Sequence, residues 1–266
     1  MGIVERKERE KEARRNQILD AAETIFKSKG LGQTTMDDIA KAAELAKGTI
    51  YLYYRNKDEL LLGIMLRAQE MMLGKFQEAV DTSSLSLQRL GALGTAYWEY
   101  VTAHGFHFSL MCMSENLPQR QQINDELLMQ FYENTNGIWR LLVSLIEEGK
   151  REGTVRPEVE SFSAACSLWM SCLGVLRVYH TSLQSGNCYS QKPELNFSKM
   201  DFRRMYDLAS SLVLSQIVTQ EGAKYVTPVQ FPSMQELGVD PGHVLDGIQI
   251  ACDPMTNQIL ESASIS

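Results

Sequence analysis

The chain has 266 residues, 44% of them apolar and 22% charged, an ordinary composition for a soluble globular protein long enough to bury a sizeable core and hold two domains. Its net charge of −7 argues mildly against a nucleic-acid binder, yet the charge is uneven: residues 1–60 carry 12 Lys/Arg and 11 Asp/Glu, leaving 14 and 22 for the remainder. The acidity belongs to the later part, so a local basic surface in the first part is permitted.

Residues 1–12 mix Glu with Arg and Lys and read as a solvated extension of a helix. The alternative is a basic arm reaching a minor groove, with Arg6, Arg9, Lys11, Arg14 and Arg15 near phosphates. Such a charged run is not a secretory signal. From Ala13 the pattern turns amphipathic: Ile18, Leu19, Ala22, Ile25 and Phe26 form a helical stripe that ends at Lys29-Gly30.

The stretch from Thr34 to Leu60 reads as two short helices, a tight turn between them, and the start of a longer helix. Thr35 is an N-cap, with Asp38 three residues on as the capping-box acid. Met36, Ile39, Ala40 and Ala43 recur at helical spacing, the turn is Glu44-Leu45-Ala46, and the second helix begins near Lys47. In that second helix Ile50 and Tyr54 point inward, which turns Gly48 and Leu52 outward with Thr49 and Tyr51 on the flanks. A solvated helix would carry Glu and Lys there. A small residue, a hydroxyl and a phenol suit a surface that approaches phosphates and base edges in a major groove.

The run GTIYLYYRNKDEL resembles the signature of the TetR family of one-component regulators, a resemblance that spans about 45 residues from Arg15 to roughly Leu60. It implies a helix-turn-helix with Lys47, Gly48, Thr49, Tyr51 and Tyr53 facing DNA, Ile50 and Tyr54 in the core, and Lys57 as a phosphate contact at a helix N-terminus. Thr35 joins the expected DNA-binding set. Tyr54 stands where the family most often has Phe, and Leu52 where an aromatic or polar residue is common. The implied fold is all-α: a three-helix DNA-binding domain at 1–56, a helical ligand-binding and dimerisation domain at 57–221, and an extension at 222–266.

Downstream, a long helix runs from Lys57 to about Asp81, with Asp58 and Glu59 placed favourably for its dipole. Further helices are expected at about 85–103, 123–151, 157–182 and 199–220, with a short apolar piece at 106–113 and a polar loop at 185–197. Ile248-Gln249-Ile250 and Gln258-Ile259-Leu260 flank a turn and read as a hairpin or as part of a loose tail.

The helices at about 157–182 and 199–220 have wide apolar stripes with small residues interleaved, enough to pack within their own domain and on a second copy. In the resembling family these two helices form the dimer interface. A two-fold dimer places its reading heads roughly 34–36 Å apart and prefers a palindromic operator. Trp98, His104, His107, Phe108, Met111, Tyr132, Trp139, Trp169 and Met170 are the candidates for an apolar or aromatic effector pocket.

Five scattered cysteines (Cys112, Cys166, Cys172, Cys188, Cys252) form no C-x-x-C pair and suit reduced thiols in a cytoplasm. His104, His107 and Cys112 lack ligand spacing for a metal. No run of 18 apolar residues marks a membrane span. No phosphate loop, nucleophile elbow, paired carboxylates or zinc helix motif points to an enzyme, and no cofactor is expected. The expectation is a cytoplasmic homodimeric regulator, a repressor released from a DNA operator by a small molecule. The alternative is a helical ligand carrier or adaptor that keeps the helix-turn-helix only as packing.

Overall fold

The computed structural model describes residues 2–81, 85–113, 123–185, 200–228 and 230. Among these residues the fold is all-α. Its helices are α1 (Ile3–Gln33), α2 (Met36–Ala42), α3 (Lys47–Tyr53), α4 (Lys57–Val80), α5 (Ser86–Ala103), α6 (Gly105–Met113), α7 (Asp125–Arg151), α8 (Ser161–Ser185) and α9 (Phe202–Ile217). A 3₁₀ turn follows at Gly222–Tyr225. The expected hairpin at 248–260 and the loop at 185–197, apart from Ser185, lie outside the described residues. The chain divides into two compact units, Met1–Gly149 and Lys150–Ser266.

In the first unit, α1 begins at Ile3, so the polar segment is a solvated helical extension; exposed i,i+4 pairs such as Arg6–Glu10 (2.8 Å) support it weakly. Its apolar stripe then buries Ile18, Leu19, Ala22 and Phe26. The helix is interrupted at Gly30, whose φ of 78° and ψ of 158° lie in a region that only glycine adopts readily. One apolar core gathers these residues with Ile39, Ile50 and Tyr54 of the short helices, Leu60 to Leu66 of α4, and Ile123, Leu127 and Phe131 around the start of α7. α4 and the first turns of α7 complete the core of the helix-turn-helix.

In the second unit, α8 starts later than the periodicity predicts. Residues 156–159 make a turn, and the Glu160 carboxylate caps the helix by accepting from the backbone N–H groups of Phe162 (3.0 Å) and Ser163 (2.7 Å). Asp201 caps α9 in the same way through Arg204 N–H at 3.0 Å. That helix stops at Ile217 because the chain turns extended, pairs Val218 with Val155, and donates Thr219 N–H to the Thr154 carbonyl at 2.9 Å. Tyr179 of α8 meets Phe202 of α9 edge to face at 5.6 Å between ring centroids.

Candidate nucleic-acid interface

The helix-turn-helix is set by short-range chemistry. Thr35 and Asp38 form the expected capping box: Thr35 Oγ1 accepts Asp38 N–H at 3.2 Å, and Asp38 Oδ2 accepts Thr35 N–H at 3.1 Å. Hydrogen bonds from Lys29 and then Thr35 hold the Asp38 carboxyl down at about 2. The turn places Glu44 at φ 55°, a left-handed conformation that costs a non-glycine residue about 1 kcal/mol, and returns Leu45 N–H to the Ala40 carbonyl at 3.0 Å. On α3, Ile50 and Tyr54 are buried, while Lys47, Gly48, Tyr51 and Leu52 are exposed and Thr49 and Tyr53 half-buried. Nothing lies within 4 Å of where a Gly48 Cβ would stand, so this face is open to close approach. Lys47 Nζ is paired with Asp37 Oδ1 at 2.6 Å, both side chains being more than half exposed.

Two cations and a hydroxyl considered for DNA contact make hydrogen bonds within the protein. Lys57 Nζ donates to the carbonyls of Leu31 (2.6 Å) and Thr34 (3.1 Å), and more distantly Gly32. The interruption at Gly30 leaves those carbonyls near a helix end without regular partners, and an ammonium satisfies them. Lys57, expected as a phosphate contact, here clamps the end of α1 to the start of α4. Thr35 likewise gives its hydroxyl proton to Asp38 Oδ2 at 2.8 Å and serves as a cap. Arg15 is hydrogen-bonded to the Tyr54 phenol; burial pushes that phenol up, and Arg15 pulls the other way. Tyr54 fits because its neighbour on α4 is Gly63. A Cβ at Gly63 would fall 2.9 Å from Tyr54 Cε1 and 3.0 Å from Leu19 Cδ2.

Residues 18–64 match the sequence profile described as bacterial regulatory proteins, tetR family. That segment is a TetR-type DNA-binding domain. It is similar to the HTH-type transcriptional repressor KstR2 of Mycolicibacterium smegmatis, 26% identical over 149 residues that cover 56% of this chain and 70% of that one. The fatty acid metabolism regulator protein of Bacillus subtilis is 27% identical over 145 residues, 53% of this chain and 70% of its own. Among solved structures, SmeT, the repressor of the Stenotrophomonas maltophilia efflux pump SmeDEF, aligns with a TM-score of 0.58 at 21% identity, covering 82% of this chain and 96% of that one. FadR of Bacillus subtilis in complex with stearoyl-CoA aligns at 0.55 with 21% identity, covering 75% and 97%. The relatives matched by sequence are regulatory proteins, not enzymes.

The effector candidates are spread over several environments. Phe108 and His107 are buried, and Trp98, His104, Met111 and Trp139 half-buried. His104 and His107 stack with ring centroids 5.6 Å apart, and burial followed by the proximity of His107 pushes the His104 imidazole down. Tyr132 packs on the head's apolar core instead, edge to face with Phe131. Trp169 and Met170 stand on α8 in the second unit, where Met170 is 61% exposed, which does not suit a pocket wall. A cavity of about 170 Å³ in the first unit is lined by Glu12, Arg15, Tyr54, Arg67, Glu70 and Gln130 among others, and none of the nine candidates reaches it. Burial raises the Cys172 thiol to about 11, so it is a poor source of thiolate. Among the described residues, no group of three or more His, Cys, Asp and Glu could hold a metal ion.

Sequence reasoning missed two carboxylates that tie elements together. Glu23 of α1 receives Arg67 of α4 at 2.6 Å and Lys27 at 2.5 Å, and lies 3.1 Å from His107 Nε2 of α6, off the line of a good hydrogen bond. Burial alone would raise this carboxyl, but the hydrogen bonds from Lys27 and Arg67 and the nearby His107 together hold it at about 2. Glu59 was read only as a dipole partner, whereas its side chain is buried and bridges two backbones. The partners that join separate elements, Arg67 for Glu23 and Asn124 for Glu59, lie 44 and 65 residues away, so no local spacing announced them.

Proposed function

We propose that this chain is a homodimeric transcriptional repressor that reads a palindromic DNA operator with α3 and is released by a small apolar or aromatic molecule. The observation that carries the reading is the outward set of α3: Lys47, open Gly48, half-buried Thr49 and exposed Tyr51, on a helix seated by Ile50 and Tyr54. Tyr53, half-buried on the flank, completes the proposed contact surface. Amide and phenol donors there meet phosphates, and Thr49 meets a base edge.

Dimerisation is supported by α8. Its segment Ser161–Leu183 has a mean hydropathy of 1.3 and only 33% of it is buried, with Phe162, Met170 and Leu183 exposed on one side. Length and composition alone would also let that helix cross a membrane; in a DNA-reading regulator a second copy is the fitting partner, and the cytoplasm the fitting compartment. The effector class is supported by the half-buried aromatic residues of α5 to α7, and by the fatty-acid, stearoyl-CoA and ketosteroid or efflux settings named for similar proteins.

Selection of bound sequences from a random DNA pool tests the reading. An inverted repeat is expected, with affinity that falls linearly as log salt rises. Tyr51→Ala is expected to weaken binding to that repeat by roughly 5- to 100-fold without changing the dimer. Recovery of no DNA by the intact chain, beside steep binding of a small ligand, would favour the carrier or adaptor instead.

A further inference from the structure

The side chain of Glu59 is 2% exposed, and each of its carboxylate oxygens takes a main-chain N–H from a different place. Oε2 accepts from Arg55 at 2.7 Å, in the short link that leaves α3. Oε1 accepts from Asn124 at 2.9 Å, in the residue before α7. The Arg55 guanidinium stays 3.9 Å from Oε1 and is 69% exposed, so the two main-chain dipoles are the close partners. Asn124 in turn fixes the first turn of α7: its side chain accepts Glu126 N–H at 2.8 Å and its carbonyl accepts Leu128 N–H at 3.1 Å. On the other side, Arg55 directly follows Tyr54, whose N–H closes α3 on the Ile50 carbonyl at 2.9 Å.

We propose that Glu59 is a positioning residue that sets the reading helix α3 by where α7 begins, so that a shift of α7 is transmitted to the DNA-facing surface through one shared carboxylate. This rests on the DNA-binding reading of α3. A buried carboxylate stripped of a donor is costly, so the two N–H groups cannot part company cheaply. A displacement of about 1 Å at Asn124 takes its bond beyond hydrogen-bond range, and either Glu59 follows or the charge is left short of a partner. Ile123, Leu127 and Phe131 pack in the same core as Ile39, Ile50 and Tyr54, which gives the start of α7 a continuous apolar path to the head beside the polar one.

The test uses the full chain with Asn124→Pro and Asn124→Ala compared at matched melting temperature. Both lose the side-chain cap; only the proline variant also loses the N–H that Glu59 accepts. Amide exchange at Arg55 and affinity for the selected inverted repeat are read for each. The proline variant is expected to speed Arg55 exchange and weaken DNA binding relative to the alanine variant, each by about 5- to 150-fold. Glu59→Gln, with one acceptor oxygen for two donors, is expected to act alike. Equal Arg55 exchange in the two Asn124 variants overturns the proposal, as does faster exchange with unchanged DNA affinity. If Glu59→Gln fails to fold, the Asn124 pair still decides. If the unmodified chain selects no DNA, the reading of α3 fails, while the exchange comparison still decides whether the two backbones are coupled.

Discussion

The two units hold themselves together by different means. In the first, charged groups join elements distant in sequence: Glu23 links α1 with α4 and stands beside α6, Lys57 clamps the end of α1, and Glu59 bridges the loop after α3 to the start of α7. In the second, apolar and aromatic side chains of α8 and α9 pack together, backbone hydrogen bonds join the chain before α8 to the chain after α9, and apolar side chains are left outside. Directional bonds fix positions, whereas apolar surface favours association without dictating geometry in detail. The contrast suits the proposed roles, a head that holds a reading helix in place and a second unit that pairs with its copy.

The largest expected effect breaks the second half of that contrast. Phe162→Glu with Met170→Glu places charge in the proposed interface, removing about 1.5–3 kcal/mol of apolar burial per side chain in each protomer. Analytical ultracentrifugation is expected to show monomer at concentrations where the unmodified chain is a dimer. A dimer that persists would detach the exposed face of α8 from association.

Next comes the clamp. Lys57→Ala leaves the Leu31 and Thr34 carbonyls without their donor and is expected to cost about 1.5–3 kcal/mol of stability, read by denaturant unfolding. An effect confined to DNA affinity, with stability unchanged, would return Lys57 to the phosphate-contact role.

Acid titration separates the charged network from the rest. Glu23 is held at about 2, below its usual value near 4.3, so its contribution is fully present above that usual value and is lost as pH falls toward 2. The stability difference between the unmodified chain and Glu23→Gln is expected to be flat from pH 7 to 5 and to shrink below. A difference that changes instead between pH 7 and 5 would point to a histidine.

The smallest effect concerns the turn. Glu44→Gly relieves the left-handed backbone and is expected to change stability by less than about 1 kcal/mol, in the stabilising direction, because glycine also loses more freedom on folding. A thermal melt resolves it.

The reading head was legible from sequence because its signals are local. The Thr35–Asp38 box, the inward Ile50 and Tyr54, and the N-terminal end of α4 all follow from spacings of three to four residues, and each stands where the periodicity put it. Helix ends that depend on distant partners were displaced: α8 starts late because Glu160 caps it, and α9 stops early because Val218 pairs with Val155. The acceptors of Lys57 were not legible for the same reason, since they lie 23 to 26 residues away. The effector candidates were chosen by residue type alone, and type does not distinguish the wall of a pocket from Tyr132 packed in the head's core or Met170 facing outward.

The pairing of Lys47 with Asp37 has a consequence for how such a head would search a genome. A phosphate that reaches this ammonium exchanges one anion for another, so the contact releases little bound salt and rewards indiscriminate sticking only weakly. A resident competitor of this kind leaves more of the discrimination to Thr49, Tyr51 and the fit of the groove, and shortens each pause on the wrong sequence.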